Sequence, residues 1–335
     1  MADEIDFFDA YDSVLIPMFT ASNVLRLVAG ASASGLMTAL RDPASTADLA
    51  AKTGLAETRV SAVCRALVAA GVAQQDGERL RLSPAWHALT DPGAFVPLEL
   101  ALQGNYVEGQ LMAASAGETY WSITAEDRLS YARSVSPNPY SSELVDAFRR
   151  QIPEDPDRAA MAEGGRLLEL GCGVAGRVLT TLRAMPRLSA VGVELSPDLA
   201  AEAERRARDL GLSDRFRVAC VDAAEFTDPE PFDFGFWSQF FFPEESRQGA
   251  LRTMLSSLRP GGVVLAPLGA DYDAIQADPD STAAREYALW RVVLDSWGVP
   301  ERSPETLVAE VQSAGFVDVR VVAGGAGPVV RATRP

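Results

Sequence analysis

Three glycines spaced Gly171-x-Gly173-x-x-Gly176, with an acid two places before the first, are the residues of this chain best suited to hold a reactive ligand. The run Leu167-Leu-Glu-Leu-Gly-Cys-Gly-Val-Ala-Gly176 reads as a buried strand, a tight turn and a helix start. Glycine lets the backbone take positive φ and lets a ligand approach where a Cβ would stand. The helix start adds unpaired N–H groups and the positive end of a dipole. Such a turn binds nucleotides. The spacing alone also fits the dinucleotide fingerprint of NAD and FAD enzymes. Glu169 speaks for a different ligand, because a carboxylate there suits a cationic amino-acid moiety and repels a pyrophosphate.

The elements that position this turn alternate. Strands are predicted at Arg166–Leu170, Leu188–Glu194, Arg215–Asp222, Phe232–Ser238 and Gly261–Leu268, with helices at Val174–Met185 and Pro197–Leu210. Alternation of this kind means a parallel sheet covered by helices on both faces. Val317–Ala323 and Pro328–Thr333 are joined by a short glycine-rich loop, so that last pair must be antiparallel. Ligands of open α/β sheets bind at the carboxyl ends of the strands. The second strand ends in Glu194, about 20 residues past the turn, where a carboxylate can accept from both ribose hydroxyls. Dinucleotide enzymes use the same device, so Glu194 supports a nucleoside without choosing the cofactor.

Several features in register resemble class I S-adenosylmethionine (SAM) dependent methyltransferases over residues 166–268 and, more loosely, over the whole chain. Glu169-Leu-Gly-Cys-Gly173 resembles the family's first motif, in which the acid reaches toward the methionine ammonium group. Asp222-Ala223 stands where the family places an acid on the adenine amine and a backbone N–H facing the ring. Phe236-Trp-Ser-Gln-Phe240 stands where the backbone lies beside the methionine part, and Leu258-Arg-Pro-Gly-Gly262 resembles the turn before the fifth strand. The resemblance implies a seven-stranded Rossmann-like methyltransferase sheet with an antiparallel last strand, and SAM as the cofactor. It implies cofactor contacts at Glu169, Gly171, Cys172, Gly173, Glu194, Leu195, Asp222, Ala223, Ser238 and Gln239.

Ahead of this domain the chain reads as mostly helical. Residues 5–40 carry Phe7, Phe8, Tyr11, Val14, Leu15 and Met18 at helical spacing, then Asn23–Gly30 and Gly35–Leu40. Helices this apolar bury more than one face, in a core or, as favoured here, against a second copy. Ser45–Gly54 and Thr58–Gly71 form a helix-turn-helix pattern. Val72–Gln75 and Arg79–Leu82 flank Asp76-Gly77, a hairpin signal. The whole resembles a winged helix. A DNA reader needs a basic face, which Arg59 and Arg65 alone do not supply. Small-molecule O-methyltransferases with an N-terminal winged-helix dimerisation domain are similar to this stretch. The expected organisation is residues 1–95 as a helical, winged-helix dimerisation domain, 96–163 as a helical connector to the substrate pocket, and 164–335 as the SAM domain. Connector aromatics Tyr106, Tyr120, Trp121, Tyr131 and Tyr140, with Arg133, suit a pocket that is apolar with a few oriented polar tips. Of these Tyr106, Trp121, Tyr131 and Arg133 are taken as substrate residues, together with Trp237, Tyr272 and Trp290. The segment 271–300, which also holds Tyr287 and Trp297, falls where the family places its substrate lid.

Composition limits the partners. The chain has 335 residues, 47% hydrophobic and 23% charged, with a formal net charge of −16 that opposes nucleic acid and anionic membrane surfaces. No uninterrupted apolar run approaches the roughly 20 residues that span a bilayer. The acidic start Met1-Ala-Asp-Glu-Ile-Asp6 is not that of a signal or transit peptide. Cys64, Cys172 and Cys220 lie far apart, which fits a reducing cytoplasm. His87 is the single histidine. Plant-type relatives carry a histidine base near the end of the fifth strand, where this chain reads Ala266-Pro-Leu-Gly-Ala-Asp-Tyr-Asp273. Catechol-type enzymes place a metal-binding Asp after the fourth strand, where Ser238-Gln239 stand here, so no metal is expected. The expected reaction is therefore methyl transfer by proximity and orientation to a small molecule or peptide, with a carboxylate or phenol oxygen favoured, in specialised metabolism. Three rivals remain: a SAM-binding relative with a different reaction, a metabolite-sensing transcriptional regulator and, third, a NAD-dependent oxidoreductase, which Glu169 and Asp222 oppose.

Overall fold

The computed structural model describes residues 6–113, 119–324 and 327–335, and the chain divides into two units, Met1–Leu102 and Gln103–Pro335. In the first unit α1 (Phe7–Ala10) and α2 (Ile16–Ala33) are joined by a single π-helical turn, Tyr11–Leu15. Phe7, Phe8, Val14, Met18 and Phe19 are exposed along it. This helix corrects the expectation about membrane spans. Phe7–Ala33 is continuous over 27 residues, with a mean hydropathy of 1.5 over its most apolar 18-residue stretch, and is long and apolar enough to cross a bilayer by length and composition. Asp9 and Asp12 interrupt the apolar run in the sequence without ending the helix.

α3 (Leu36–Ala39), α4 (Thr46–Thr53) and α5 (Glu57–Ala69) come next. A capping box between Ser45 and Asp48 starts α4, and Gly54 ends it in the left-handed conformation. β1 (Ala73–Asp76) and β2 (Arg79–Leu82) pair as a hairpin about Gly77, and α6 is Pro84–Leu89. Val28, Leu36, Leu40, Leu49, Val60, Leu67 and Leu80 form the core of this unit.

The connector expected at 96–163 falls on both sides of the division. α7 (Leu98–Ala113) contributes Leu98 and Leu102 to the first core and Val107 and Leu111 to a cluster with Tyr120, Tyr131 and Trp297 in the second unit. Then come α8 (Ala125–Ser134), α9 (Ser142–Arg150) and α10 (Pro156–Glu163). From there strands and helices alternate: β3 (Gly165–Leu170), α11 (Gly176–Ala184), β4 (Leu188–Glu194), α12 (Pro197–Asp209), β5 (Phe216–Cys220), β6 (Phe232–Trp237), α13 (Glu244–Ser257) and β7 (Leu258–Pro267). α14 (Tyr272–Ala277), α15 (Thr282–Asp295), α16 (Pro304–Ser313), β8 (Val317–Gly324) and β9 (Gly327–Thr333) complete the chain.

The sheet runs β5-β4-β3-β6-β7-β9-β8, parallel through β7, with β9 antiparallel to both of its neighbours. This is the Rossmann-like methyltransferase sheet that the resemblance implies. Side chains alternate along β3, so Leu168 and Leu170 enter one core and Leu167 the other. Both faces are therefore apolar, and the polar groups gather at the strand ends.

Ion pairs hold α8 on α12. Arg128 meets Asp198 at 3.2 Å, and Glu202 collects Arg133 at 3.0 Å, Arg205 at 2.8 Å and Arg206 at 3.0 Å. Burial pushes the Glu202 carboxyl up, but the bonds from Arg205 and Arg206 and the charges of Arg206 and Arg133 outweigh it, lowering its pKa to about 2. A depressed carboxyl contributes stability above its unfolded pKa and loses it as pH falls through the folded value. Glu202→Gln lacks this contribution at every pH. Urea unfolding should show the stability gap between wild type and variant narrowing from pH 4.5 down to about 2. A gap independent of pH would mean that the arginines do not control Glu202.

Candidate active site

The turn between β3 and α11 is built around the main chain. Gly171 and Cys172 both donate N–H to the Val193 carbonyl, at 3.0 and 3.1 Å, which ties the turn to the end of β4. Gly171 has φ 72°, and a Cβ there would lie 2.8 Å from the Phe242 ring. Gly173 has φ 54°, and a Cβ there would meet nothing within 4 Å. The space over Gly173 is open to a ligand. Gly176 is different, since its Cβ would stand 2.0 Å from Ser136 Oγ and 2.2 Å from the Pro137 carbonyl. It is a glycine for close packing.

Glu194 closes the turn from the next strand. Gly173 N–H donates to its Oε2 and Ser196 N–H to its Oε1, each at 2.9 Å. Burial raises the carboxyl, opposed by N–H groups of Ser196, Gly173 and Leu195. Each oxygen keeps a lone pair for a further donor, which suits two ribose hydroxyls. Beside it Leu195 is exposed. Asp222 is also exposed, two residues past the end of β5, and its Oδ1 accepts from Ala224 N–H at 2.8 Å. That bond fixes the Asp222–Ala223 corner. Cys172 turns inward and packs at Gly192, where a Cβ would stand 2.6 Å from its Sγ. Only its main chain is available to a ligand, and burial holds the thiol well above its usual pKa.

Glu169 has a partner that its position in the motif did not announce. It is buried, and Arg177 donates Nε–H to its Oε1 at 2.9 Å while the guanidinium lies 3.3 Å over the Phe236 ring. Glu169 Oε2 and Arg177 Nη2 are both buried without a hydrogen-bond partner among the described residues. An unsatisfied acceptor and an unsatisfied donor on this ion pair are the groups that an ammonium and a carboxylate would pair with. A dinucleotide pyrophosphate has no cation for Glu169.

At the end of β6, Ser238 donates its N–H to the Leu170 carbonyl at 3.1 Å. Gln239 is buried, and its Nε2 donates to the Pro267 carbonyl at 3.0 Å. Arg247 of α13 is fully buried and donates to both oxygens of Glu310 at 2.7 Å, to the Gln239 carbonyl at 2.8 Å and to Gln239 Oε1 at 3.0 Å. Neither Arg247 nor Glu310 stands out in the sequence, where each reads as one charge on an amphipathic helix.

A small pocket adjoins Gln239. Phe240, Leu268, Tyr272, Tyr287, Trp290 and Arg291 are among its walls. Of the residues expected to touch substrate, it brings together Tyr272 and Trp290. The others lie elsewhere. Trp237 is fully buried in the core against Phe242 and Arg247, because side chains alternate at the strand end. Tyr131 is buried edge-on to Trp297 and Tyr120. Arg133 is engaged by Glu202, Tyr106 is exposed on α7, and Trp121 is exposed near Arg128. Asp271 caps α14 by accepting from Ala274 N–H. His87 lies in the other unit, on α6. Cys220, at the end of β5, is the exposed cysteine of the three.

The strand order, the glycine turn and the acid that ends β4 form the Rossmann-like fold of class I methyltransferases. Residues 167–262 match the family model described as a methyltransferase domain. Over 128 residues the chain is 30% identical to the uncharacterized protein YjhP of Escherichia coli K12, covering 38% of this chain and 48% of that protein. It is 27% identical over 182 residues to erythromycin 3''-O-methyltransferase of Saccharopolyspora erythraea, covering 53% and 59%. The chain thus spans about half the length of the curated relatives it matches. Human N-acetylserotonin methyltransferase, solved in complex with SAM, superposes with a TM-score of 0.72 at 15% identity, covering 100% of this chain and 99% of that one.

The glycines separate structure from ligand. Gly176→Ala should cost about 1–3 kcal/mol through overpacking against Ser136 and Pro137. Gly173→Ala has open space and should cost only the roughly 1–2 kcal/mol of a left-handed alanine. Thermal unfolding of both variants checks the order; a larger loss in Gly173→Ala would contradict the open space.

Proposed function

We propose that the protein is a SAM-dependent methyltransferase that methylates an oxygen of a small-molecule or peptide acceptor in specialised metabolism. The observation that carries this reading is the pair of buried, unsatisfied atoms beside the glycine turn, Glu169 Oε2 and Arg177 Nη2. They suit the ammonium and carboxylate at the amino-acid end of SAM. Glu194 then takes the ribose hydroxyls, and Leu195 and Ala223 flank the adenine, with Asp222 on its exocyclic amine. The main chain of Gly171, Cys172, Gly173, Ser238 and Gln239 borders the methionine part. SAM supplies an electrophilic methyl on a sulfonium; the chain's own residues bind, orient and exclude water. Alignment of nucleophile, methyl and sulfur is the main catalytic contribution to such a displacement. An acceptor oxygen that ionises readily needs no histidine. The match to erythromycin 3''-O-methyltransferase supports specialised metabolism.

The first unit is read as a winged-helix dimerisation module, with the exposed apolar face of Phe7–Ala33 against a second copy. A cytoplasmic setting fits the three free cysteines. A regulator that reads DNA is disfavoured by the net charge of −16.

Calorimetric titration with S-adenosylhomocysteine, 5′-methylthioadenosine and NAD⁺ tests the cofactor. S-adenosylhomocysteine should bind, and Glu194→Ala should weaken it by at least about tenfold through two lost charge-assisted bonds. Arg177→Met should weaken S-adenosylhomocysteine but not 5′-methylthioadenosine, which lacks the amino-acid end. Binding of NAD⁺ in preference would overturn the assignment. Light scattering should give twice the 35.8 kDa chain mass for wild type and the single mass for a Phe8→Asp, Phe19→Asp variant. A wild-type monomer at all concentrations would remove the dimer.

A further inference from the structure

Tyr120 brings an unmatched hydroxyl to the end of β4 from outside the sheet. It begins a single 3₁₀ turn, Tyr120–Ser122, shortly before α8. Its ring is fixed on three sides: tilted on Trp297 at 4.5 Å, and edge-on to Trp121 at 5.2 Å and to Tyr131 at 6.1 Å. The residue is 8% exposed, yet its hydroxyl makes no hydrogen bond among the described residues. The Tyr131 hydroxyl is also unpaired but sealed in the core, whereas that of Tyr120 is not closed off. A phenol fixed by its ring, with its polar end unsatisfied, is set to meet a ligand.

A chain of polar contacts holds this turn against Glu194. Arg128 of α8 donates Nη1–H to the Ile123 carbonyl at 3.4 Å and Nε–H to Asp198 at 3.2 Å. Asp198, in the first turn of α12, accepts from the Ser196 hydroxyl, and Ser196 N–H donates to Glu194 Oε1 at 2.9 Å. Burial raises the Tyr120 phenol above its usual pKa, and of the charges around it Glu194 acts most strongly, ahead of Arg128 and Asp198. The hydroxyl is therefore a donor at neutral pH. It makes no bond to Glu194 itself. A group that serves both must donate to a carboxylate and accept from a phenol, and a sugar hydroxyl does both.

Resting on the reading of this fold as a SAM-dependent methyltransferase, we propose that Tyr120 binds the cofactor, its hydroxyl donating to a ribose hydroxyl that Glu194 holds from the other side. The same ring packs on Trp297, directly after α15. One side chain thus joins the cofactor's ribose to the aromatic cluster of Tyr131 and Trp297.

The test is calorimetric titration of the full chain and of Tyr120→Phe with S-adenosylhomocysteine and its 2′-deoxy and 3′-deoxy forms. The variant keeps the ring and its packing, so its thermal unfolding should match that of wild type. It should bind S-adenosylhomocysteine roughly three- to tenfold more weakly, the share of one hydrogen bond between neutral groups. That loss should vanish with one of the two deoxy forms, the one lacking the hydroxyl that Tyr120 meets. Unchanged affinity for S-adenosylhomocysteine in the folded variant, or a loss that persists with both deoxy forms, would overturn the proposal. Failure of S-adenosylhomocysteine to bind wild type would instead count against the cofactor reading, so the two failures are distinguishable.

Discussion

A buried guanidinium must find a partner for nearly every donor or the fold bears a cost of several kcal/mol. Arg247 meets that constraint with Glu310 and with both the side chain and the carbonyl of Gln239. The geometry leaves the segment after β6 one position. Ser238 is held to β3 on one side, and Gln239 to the end of β7 on the other. This segment borders both the glycine turn and the aromatic pocket. Its rigidity sets the separation between the two, which for a reaction governed by alignment is the quantity that matters.

Much of the fold was legible in the sequence because its strands are short apolar runs punctuated by glycine and acid. β4 begins and ends where periodicity placed it, and the antiparallel pairing of β8 with β9 came from a loop too short for a crossover. The ligand turn was legible for a related reason. Glycines at positive φ and an acid at a strand end are requirements of the local backbone. Contacts between distant residues were not. Nothing in the spacing of Arg177 tells that it folds back on Glu169, and nothing in the sequence of α13 and α16 brings Arg247 to Glu310.

The aromatic residues show the same limit from the other direction. Tyr131 and Trp237 carry polar tips and could serve a pocket or a core equally well; packing sends both inside. Tyr272 and Trp290 are no more conspicuous, yet they reach the pocket because α14 and α15 come directly after β7. Arg133 reads in the sequence as a free cation, yet the fold pairs it with Glu202. Charge in the sequence is a sum over the chain, whereas recognition depends on which charges remain unpaired at one place.

The contrast between Cys172 and Cys220 has a practical side. Cys64 and Cys172 are buried, with burial raising both thiols, whereas Cys220 is exposed at the end of β5 and its Sγ lies 3.9 Å from the Leu195 carbonyl. Thiol reagents act through the accessible thiolate. A maleimide dye therefore has a single attachment point on the native chain, at the rim formed by Leu195 and the Asp222 corner. The protein carries its own site for an optical probe of that rim, without any engineered cysteine.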